Sequence, residues 1–388
     1  MRNRQEKNER LKSLPALGRG IPEIYRPYLP MPTLPSTDLL QSTSRGFYCP
    51  PGDFYVDPWE PVERAVVTHA HADHLTRGSK RYLVSAEGEA LTRARLWEPH
   101  EVQGVPYGEE VIVNGVRVSF HPAGHVLGSA QVRLEKDGFV AVVSGDYKTD
   151  ADPTCAPFEP VRCDLFVTEC TFGLPVYRWP STDELASEIN AWWRENAAGG
   201  RASIVFAYSL GKAQRVLAGL DPSIGPIYEH GAPFRLTKVY RAEGKPLPDT
   251  SYVGEGVERG DSWKGAMIVA PPGGHNTPWQ RKFGRDVATA FASGWMLLRG
   301  NRRRRGVDRG FIMSDHADWT GLIDAIDATG AEEVWCTHGY TGALARFLAE
   351  ERGLNVATVD TRYSDSGEAS DADDADDAST RSSGSSEG

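Results

Sequence analysis

Thr68 to Leu75 reads THAHADHL, which packs His69, His71, Asp73 and His74 into six residues, directly after the apolar-rich run RAVV. The chain has ten histidines, so placing three of them here is concentrated use. Imidazoles and carboxylates crowded against a buried strand are costly to desolvate unless a charged partner satisfies them, and a metal is the obvious one. Neighbouring residues of a loop point different ways, so the cluster offers too many donors for one tetrahedral ion. The natural division sends His69 and His71 to one metal and Asp73 with His74 to another. This donor mixture suits zinc, with manganese or iron as alternatives. Two adjacent metals can stabilise both oxygens of an in-line phosphoryl displacement. A carboxylate shared between them would hold the pair together, and Asp146 is the candidate.

Further donors recur at strand ends. His125 lies in HPAGHVLGSA just after a hairpin, Asp146 ends AVVSGD and Glu169 ends FVTE. His316 follows GFIMSD, and His338 ends EEVWCTH. Any one of these could be an ordinary polar group in a turn. Their recurrence at the same kind of place suggests convergence on one rim of the sheet system.

The elements that must position them alternate short β-branched runs with helical patterns. ERAVVTHA reads as a buried strand, and VIVNGVRVSF as a hairpin turning at Asn114-Gly115. GFVAVVSGD, DLFVTEC, ASIVFAY, AMIVA, RGFIMSD, EEVWCTH and LNVATVD read as further strands. STDELASEINAWWRENAAGG predicts a helix with Ser181 as N-cap, Glu184 completing a capping box and Gly199-Gly200 as the stop. GKAQRVLAGL predicts a second helix, and two more are expected around 318–328 and 341–352. The class is therefore α/β.

The 388 residues suffice for one large domain or two moderate ones with a well-buried core. No apolar run is long enough to span a bilayer, and the charged start MRNRQEKNERLKSLPALGRG lacks a signal peptide's apolar centre, so a cytoplasmic location is expected. Five cysteines, with no CxxC pair, read as buried or free thiols in a reducing compartment. The net charge of −10 is unevenly spread. Residues 361–388 hold eight acids and two arginines, whereas the other 360 residues carry 45 acids against 41 bases. That tail is rich in Ser, Asp and Ala without hydrophobic pattern and reads as disordered, as do residues 1–20. Within the body sits the basic run RGNRRRRGVDRG, and local charge matters more to a polyanion than the total does.

HxHxDH, a later histidine and an aspartate ending a strand together resemble the metallo-β-lactamase fold. Glu169 in VTECTFG, His316 in SDHADW and His338 in CTHGY resemble the three additional motifs of its β-CASP branch of nucleases. FAYSLGKAQRVL resembles the start of the helical part of that branch's inserted cassette. YCPPGDFYVDPW, THAHADH and RGNRRRRGVDRGFIMSDHADW most resemble the bacterial ligase-associated DNA exonucleases. RNA 3′-end processing endonucleases and the Artemis group of DNA-repair nucleases share the architecture. The resemblance covers residues 45–360.

It implies two zinc ions, with manganese as the alternative. One would be held by His69, His71, His125 and Asp146, and the other by Asp73, His74, Asp146 and His338. Asp57, in YVDPW, would orient the metal loop from behind the ligands. His316 would protonate the leaving 3′ or 5′ oxygen, Glu169 would hold it in its cationic form, and Asp73 joins them among the catalytic residues. It further implies an αββα sandwich at 45–175 and 311–360 and an α/β β-CASP insertion at 176–310. Residues 1–44 would be an N-terminal extension and 361–388 the acidic tail. The implied function is DNA end processing or repair by an exonuclease, beside an ATP-dependent DNA ligase and a helicase. An RNA endonuclease is the nearest competitor, since sugar preference rests on contacts that no motif reveals. A small-molecule metallo-hydrolase ranks third, because an added lobe with a basic run suits a long polyanion. A non-catalytic nucleic-acid-binding subunit ranks last, because no ligand position is missing.

Weaker signals are read plainly. Arg302, Arg303, Arg304 and Arg305 form a charge run that could equally be solvated or contact phosphate. Asp315 and Asp318 read as helix caps. His100 and His230 read as surface or packing histidines, His121 as no ligand, PPGGH around His275 as a surface turn in preference to a loop near the substrate, and Trp192 and Trp193 as core.

Overall fold

The computed structural model describes residues 35–97, 100–254 and 263–361, and of Asn301, Arg302 and Arg304 the backbone only. The two terminal segments expected to be disordered fall outside these residues, apart from Thr361. The architecture is α/β, with three sheets among the described residues.

The first sheet is β1 (Gln41–Thr43), β2 (Gly46–Cys49), β3 (Phe54–Val56), β4 (Arg64–Val66), β5 (Arg81–Ser85) and β6 (Glu101–Val105), side by side in chain order. Its first three strands are antiparallel and the rest parallel. The chain then forms β7 (Glu110–Val113), β8 (Val116–Pro122), β9 (Ala130–Lys136), β10 (Phe139–Val143) and β11 (Leu165–Cys170) of a second sheet. The β7–β8 hairpin turns where expected, with Asn114 and Gly115 both at positive φ.

After β11 comes the helix Thr182–Ala198, started by the capping box of Ser181 and Glu184 and ended at Gly199. It leads into a third sheet: β12 (Ser203–Phe206), β13 (Ile227–Glu229), β14 (Ser251–Tyr252), β15 (Met267–Ala270), β16 (Ala288–Ala292) and β17 (Arg309–Phe311). Every pairing in this sheet is parallel. SIVF, MIVA and ATAFA are buried along their whole length, as strands covered on both faces should be. The chain then returns to the second sheet with β18 (Glu333–Gly339) and β19 (Asn355–Val359), parallel to β11.

Alternation along the strands divides the core into layers. On β11, Leu165 and Val167 face the first sheet with Phe47, Phe54 and Val56, whereas Phe166 faces the other way. On β18, Trp335 joins the first layer and Val334 and Cys336 the second. That second layer is closed by Leu322, Ile323 and Ile326 of the helix Trp319–Thr329 and by Leu344 and Leu348 of the helix Thr341–Arg352. Each large apolar side chain fully buried in this way contributes roughly 1.5–3 kcal/mol of transfer free energy. On the far face of the first sheet, Leu210, Leu236 and Tyr240 from the third sheet's lobe pack with Tyr82, Leu91 and Leu96. The lobe is thereby docked against the strand that ends at HxHxDH.

The basic run is a helix, Arg299–Arg305. Arg303 is exposed, whereas the Arg305 guanidinium lies 4.7 Å from the centroid of the Phe291 ring. Trp193 is fully buried and Trp192 packs against the same core. The cysteines are free thiols, four of them buried. No helix among the described residues is long and apolar enough to cross a membrane.

Candidate metal centre

The polar ends of β4, β10, β11 and β18 lie together. His69, His71, His125 and Asp146 each present one potential ligand atom, all within 4.8 Å of one another. Asp73, His74 and His338 form a second such group, and Asp146, Glu169 and His316 a third. Asp146 Oδ2 stands between them, 3.6 Å from His69 Nε2, 3.7 Å from His125 Nε2, 3.5 Å from His74 Nε2 and 4.0 Å from His316 Nδ1.

The acceptors behind the rings dictate which nitrogens are free. His71 Nε2 donates to the Leu210 carbonyl at 3.3 Å and His125 Nδ1 to the Asp315 carbonyl at 2.8 Å. Thr68 Oγ1 donates to Asp57 Oδ2 at 2.6 Å, so it accepts from His69 Nδ1 at 3.1 Å. A ring nitrogen facing a pure acceptor must carry the proton, which leaves the other nitrogen with a lone pair. His69 Nε2, His71 Nδ1 and His125 Nε2 are those others. His71 Nδ1 lies 3.0 Å from each of the other two. Three neutral acceptors converging at that spacing repel unless a cation lies between them. Such a set fits a metal.

The second group carries the same signature. Asp57 Oδ2 accepts from His74 Nδ1 at 2.7 Å, while His74 Nε2 and His338 Nε2 are buried without a hydrogen-bond partner. Buried polar atoms seldom go unpaired, and both residues line a small cavity together with Asp57 and Asp73. His338 reaches it through a β-bulge: Glu169 pairs with Thr337 and Cys170 with Gly339, so His338 is the extra residue, at φ 54°. Asp57 also sits at positive φ and accepts from the Thr68 amide at 2.8 Å, so one carboxylate ties down the loop that carries the cluster.

Electrostatics follow the geometry. Burial, reinforced by the neighbouring imidazoles, pushes His69 and His125 well below the usual histidine range and lowers His338 as well. His74 is also buried, but Asp146, Asp73 and Asp57 outweigh that and hold it well above its ordinary value. Burial would raise Asp146, yet His74 and His316 hold its carboxyl well below the carboxylate range. His316 Nδ1 donates to Glu169 Oε2 at 2.8 Å, and Glu169 Oε1 accepts from the Tyr147 amide at 2.8 Å. Burial would lower His316, but Glu169 and Asp146 win and raise it to about 9.

Each of the seven donors singled out by sequence, with Glu169, His316 and Asp57, therefore falls in one neighbourhood. Of the basic run, Arg303 and Arg305 lie on the helix Arg299–Arg305, and the side chains of Arg302 and Arg304 fall outside the described residues. Asp318 caps a helix, accepting from the Gly321 amide at 2.9 Å, as expected. Asp315 does not: its carboxylate is buried against Lys212 and Arg215, a correction to its reading as a helix cap. His230 caps the helix Gly231–Ala242, and His275 packs edge-on against Phe206. Lys212, Arg215 and the Leu210 carbonyl went unnoticed in the sequence; the start of a helix at GKAQR was the only local sign of them.

No protein-family model matches the chain. It is 32% identical over 313 residues to a "Probable DNA ligase" from Opitutus terrae, a match covering 80% of this chain and 30% of that protein. It is 24% identical over 209 residues to an "RNase J-like protein" from Methanocaldococcus jannaschii, covering 46% of this chain and 50% of that one. It is 25% identical over 176 residues to the "Cleavage and polyadenylation specificity factor 73" of Drosophila melanogaster, covering 42% and 25%. The chain thus spans half or less of the length of these relatives. Its fold is similar to a crystal structure of a protein of unknown function from Enterococcus faecalis V583, with a TM-score of 0.53, 11% identity and coverage of 78% and 80%. The similarity to these sequence relatives supports the chain's resemblance to the β-CASP metallo-β-lactamase family.

Proposed function

We propose that the chain is a two-metal-dependent phosphodiesterase that hydrolyses nucleic acid, and that DNA ends are its substrate. The observation that carries the reading is the closeness of two donor groups, His69, His71, His125 and Asp146 in one and Asp73, His74 and His338 in the other, with His74 Nε2 of the second only 3.5 Å from Asp146 Oδ2 of the first. His69, His71, His125 and Asp146 would hold one zinc, and Asp73, His74, Asp146 and His338 the other, with manganese as the alternative. Such metals supply Lewis acidity toward phosphoryl oxygens and make water a competent nucleophile at neutral pH.

The chain's own residues handle the proton. Glu169, fixed by the Tyr147 amide, occupies His316 Nδ1 and favours the imidazolium, so Nε2 is the nitrogen left to protonate the leaving oxygen as the P–O bond breaks. Asp57 and Thr68 keep the donor loop in register from behind. In this reading residues 45–175 and 311–360 form an αββα metallo-β-lactamase sandwich, and residues 176–310 are the inserted β-CASP lobe that closes over the nucleic acid. Arg302, Arg303, Arg304 and Arg305 would meet its phosphates.

DNA is favoured by the relative named as a probable DNA ligase, which also suggests work beside a ligase, whereas a helicase partner rests on the motif resemblance alone. RNA cleavage is the second reading, favoured by relatives named as RNase J-like and as endoribonucleases. The test is incubation of metal-loaded wild type and His316→Ala with end-labelled single-stranded DNA and a matched RNA, products being resolved by length. A ladder from one DNA end, RNA spared and the variant about 10²–10⁴-fold slower, is the expected result. Internal cuts in RNA would favour the second reading. Cleavage of neither by the metal-loaded wild type would refute both.

A further inference from the structure

Two of the three imidazoles in the first group lean on the third sheet's lobe and the segment after it. Leu210 supplies the carbonyl behind His71, and Asp315 the carbonyl behind His125. The Asp315 side chain is only 4% exposed and faces two buried cations. Lys212 Nζ lies 3.3 Å from Oδ2, and Arg215 Nη1 lies 3.8 Å from Oδ1. The Arg215 guanidinium also donates to the Ser314 carbonyl and to Thr182 Oγ1 and stands 3.5 Å from Asp152 Oδ2, itself buried. Gly211, at φ 84°, is pressed onto the neighbouring loop: a Cβ there would lie 2.4 Å from Val126 Cγ1, one residue from His125.

Four charges buried together are a poor way to gain stability, since apolar residues of similar size often do as well or better. A reason for them lies in what they hold. The backbone of 314–315 is pinned by Lys212 and Arg215, and that backbone fixes His125. The turn at 210–211, which begins the same helix Lys212–Ala218, fixes His71.

We propose that Lys212 and Arg215 are positioning residues for the first metal position. By holding Asp315, and by docking the turn that carries the Leu210 carbonyl, they set the tautomer and rotation of His125 and His71, so that this position is assembled only when the lobe's helix is in place. The proposal rests on the metal-binding reading of the first group.

The test isolates that group in a His338→Ala background of the full chain, stripped of metal and titrated with Co²⁺ against a competing chelator. The ligand-field absorption band reports geometry, and melting of the metal-free protein reports folding. Lys212→Met keeps the apolar stem and removes the charge. It should weaken Co²⁺ binding about 10- to 100-fold and alter the band, whereas Lys212→Arg should restore most of both. Should Lys212→Met fail to fold, Gly211→Ala, which forces the turn away from Val126, should give the same loss. Unchanged Co²⁺ affinity and band in a folded variant overturn the proposal, and a lower melting temperature alone would mark Lys212 as merely structural. Absence of Co²⁺ binding in the His338→Ala parent would sink the metal reading and this proposal together, which separates the two failures.

Discussion

Glu169 and His316, 147 residues apart in the chain, are joined by a 2.8 Å hydrogen bond from His316 Nδ1 to Glu169 Oε2. Burial works against the imidazolium, but Glu169 and Asp146 raise His316 to about 9. A histidine raised in the folded state stabilises fully below its unfolded value near 6.5, and the contribution is lost as pH rises through about 9. In metal-free protein, Glu169→Gln should bring the His316 titration down toward the ordinary range, as followed by NMR. The melting-temperature gap between wild type and variant should be largest near pH 6 and close above pH 9. A His316 titration unmoved by the substitution would remove Glu169 from the proton-holding role.

Asp57 accepts three buried hydrogen bonds, from the Thr68 amide, Thr68 Oγ1 and His74 Nδ1. Asp57→Ala leaves those donors without an acceptor and should cost roughly 3–5 kcal/mol in urea unfolding of the metal-free protein. Asp57→Asn should keep most of the stability yet weaken zinc binding about tenfold or more, because His74 loses its charged anchor. Wild-type zinc affinity in the Asn variant would show that the anchor is dispensable.

Glu229, the buried last residue of β13 in the lobe's sheet, accepts from the hydroxyls of Thr237 and Thr250. Burial raises its pKa despite those hydrogen bonds. A raised carboxyl stabilises the fold below the unfolded value, and the contribution is lost as pH rises through the folded one. Glu229→Gln, uncharged throughout, should therefore raise the melting temperature at pH 8 and gain nothing at pH 4. A gain independent of pH would contradict the burial argument.

Arg303 is exposed on the helix Arg299–Arg305. If it meets a phosphate, Arg303→Ala should reduce the slope of log affinity for single-stranded DNA against log salt by about 0.7. Arg305→Ala should instead lower the melting temperature, since that guanidinium covers Phe291. Equal salt slopes for wild type and Arg303→Ala would take the run out of the interface.

What was legible in the sequence is what the chain keeps local. HxHxDH announces itself by spacing, and the remaining donors by their place at strand ends, because a strand delivers its last residue to the rim of its sheet. The hairpin at Asn114-Gly115 and the capping box at Ser181 were readable for the same reason. The Lys212–Asp315–Arg215 cluster was not, since it joins positions about a hundred residues apart, and Asp315 alone reads as a helix cap. The helix Arg299–Arg305 carries no apolar periodicity to reveal it. Strands β1 to β3 are three or four residues long, too short for an alternation to stand out. The helix Gly231–Ala242 opens on Gly-Ala-Pro behind a histidine cap, which hides its start.

The most direct measurement is single-turnover cleavage of end-labelled single-stranded DNA by protein stripped of metal and then resupplied with zinc or manganese, run beside Asp146→Asn. The convergence of both donor groups on Asp146 predicts no cleavage by stripped protein, recovery on adding metal, and loss by orders of magnitude in the variant at either metal. Undiminished cleavage by the stripped protein, or by Asp146→Asn, would contradict a shared two-metal centre.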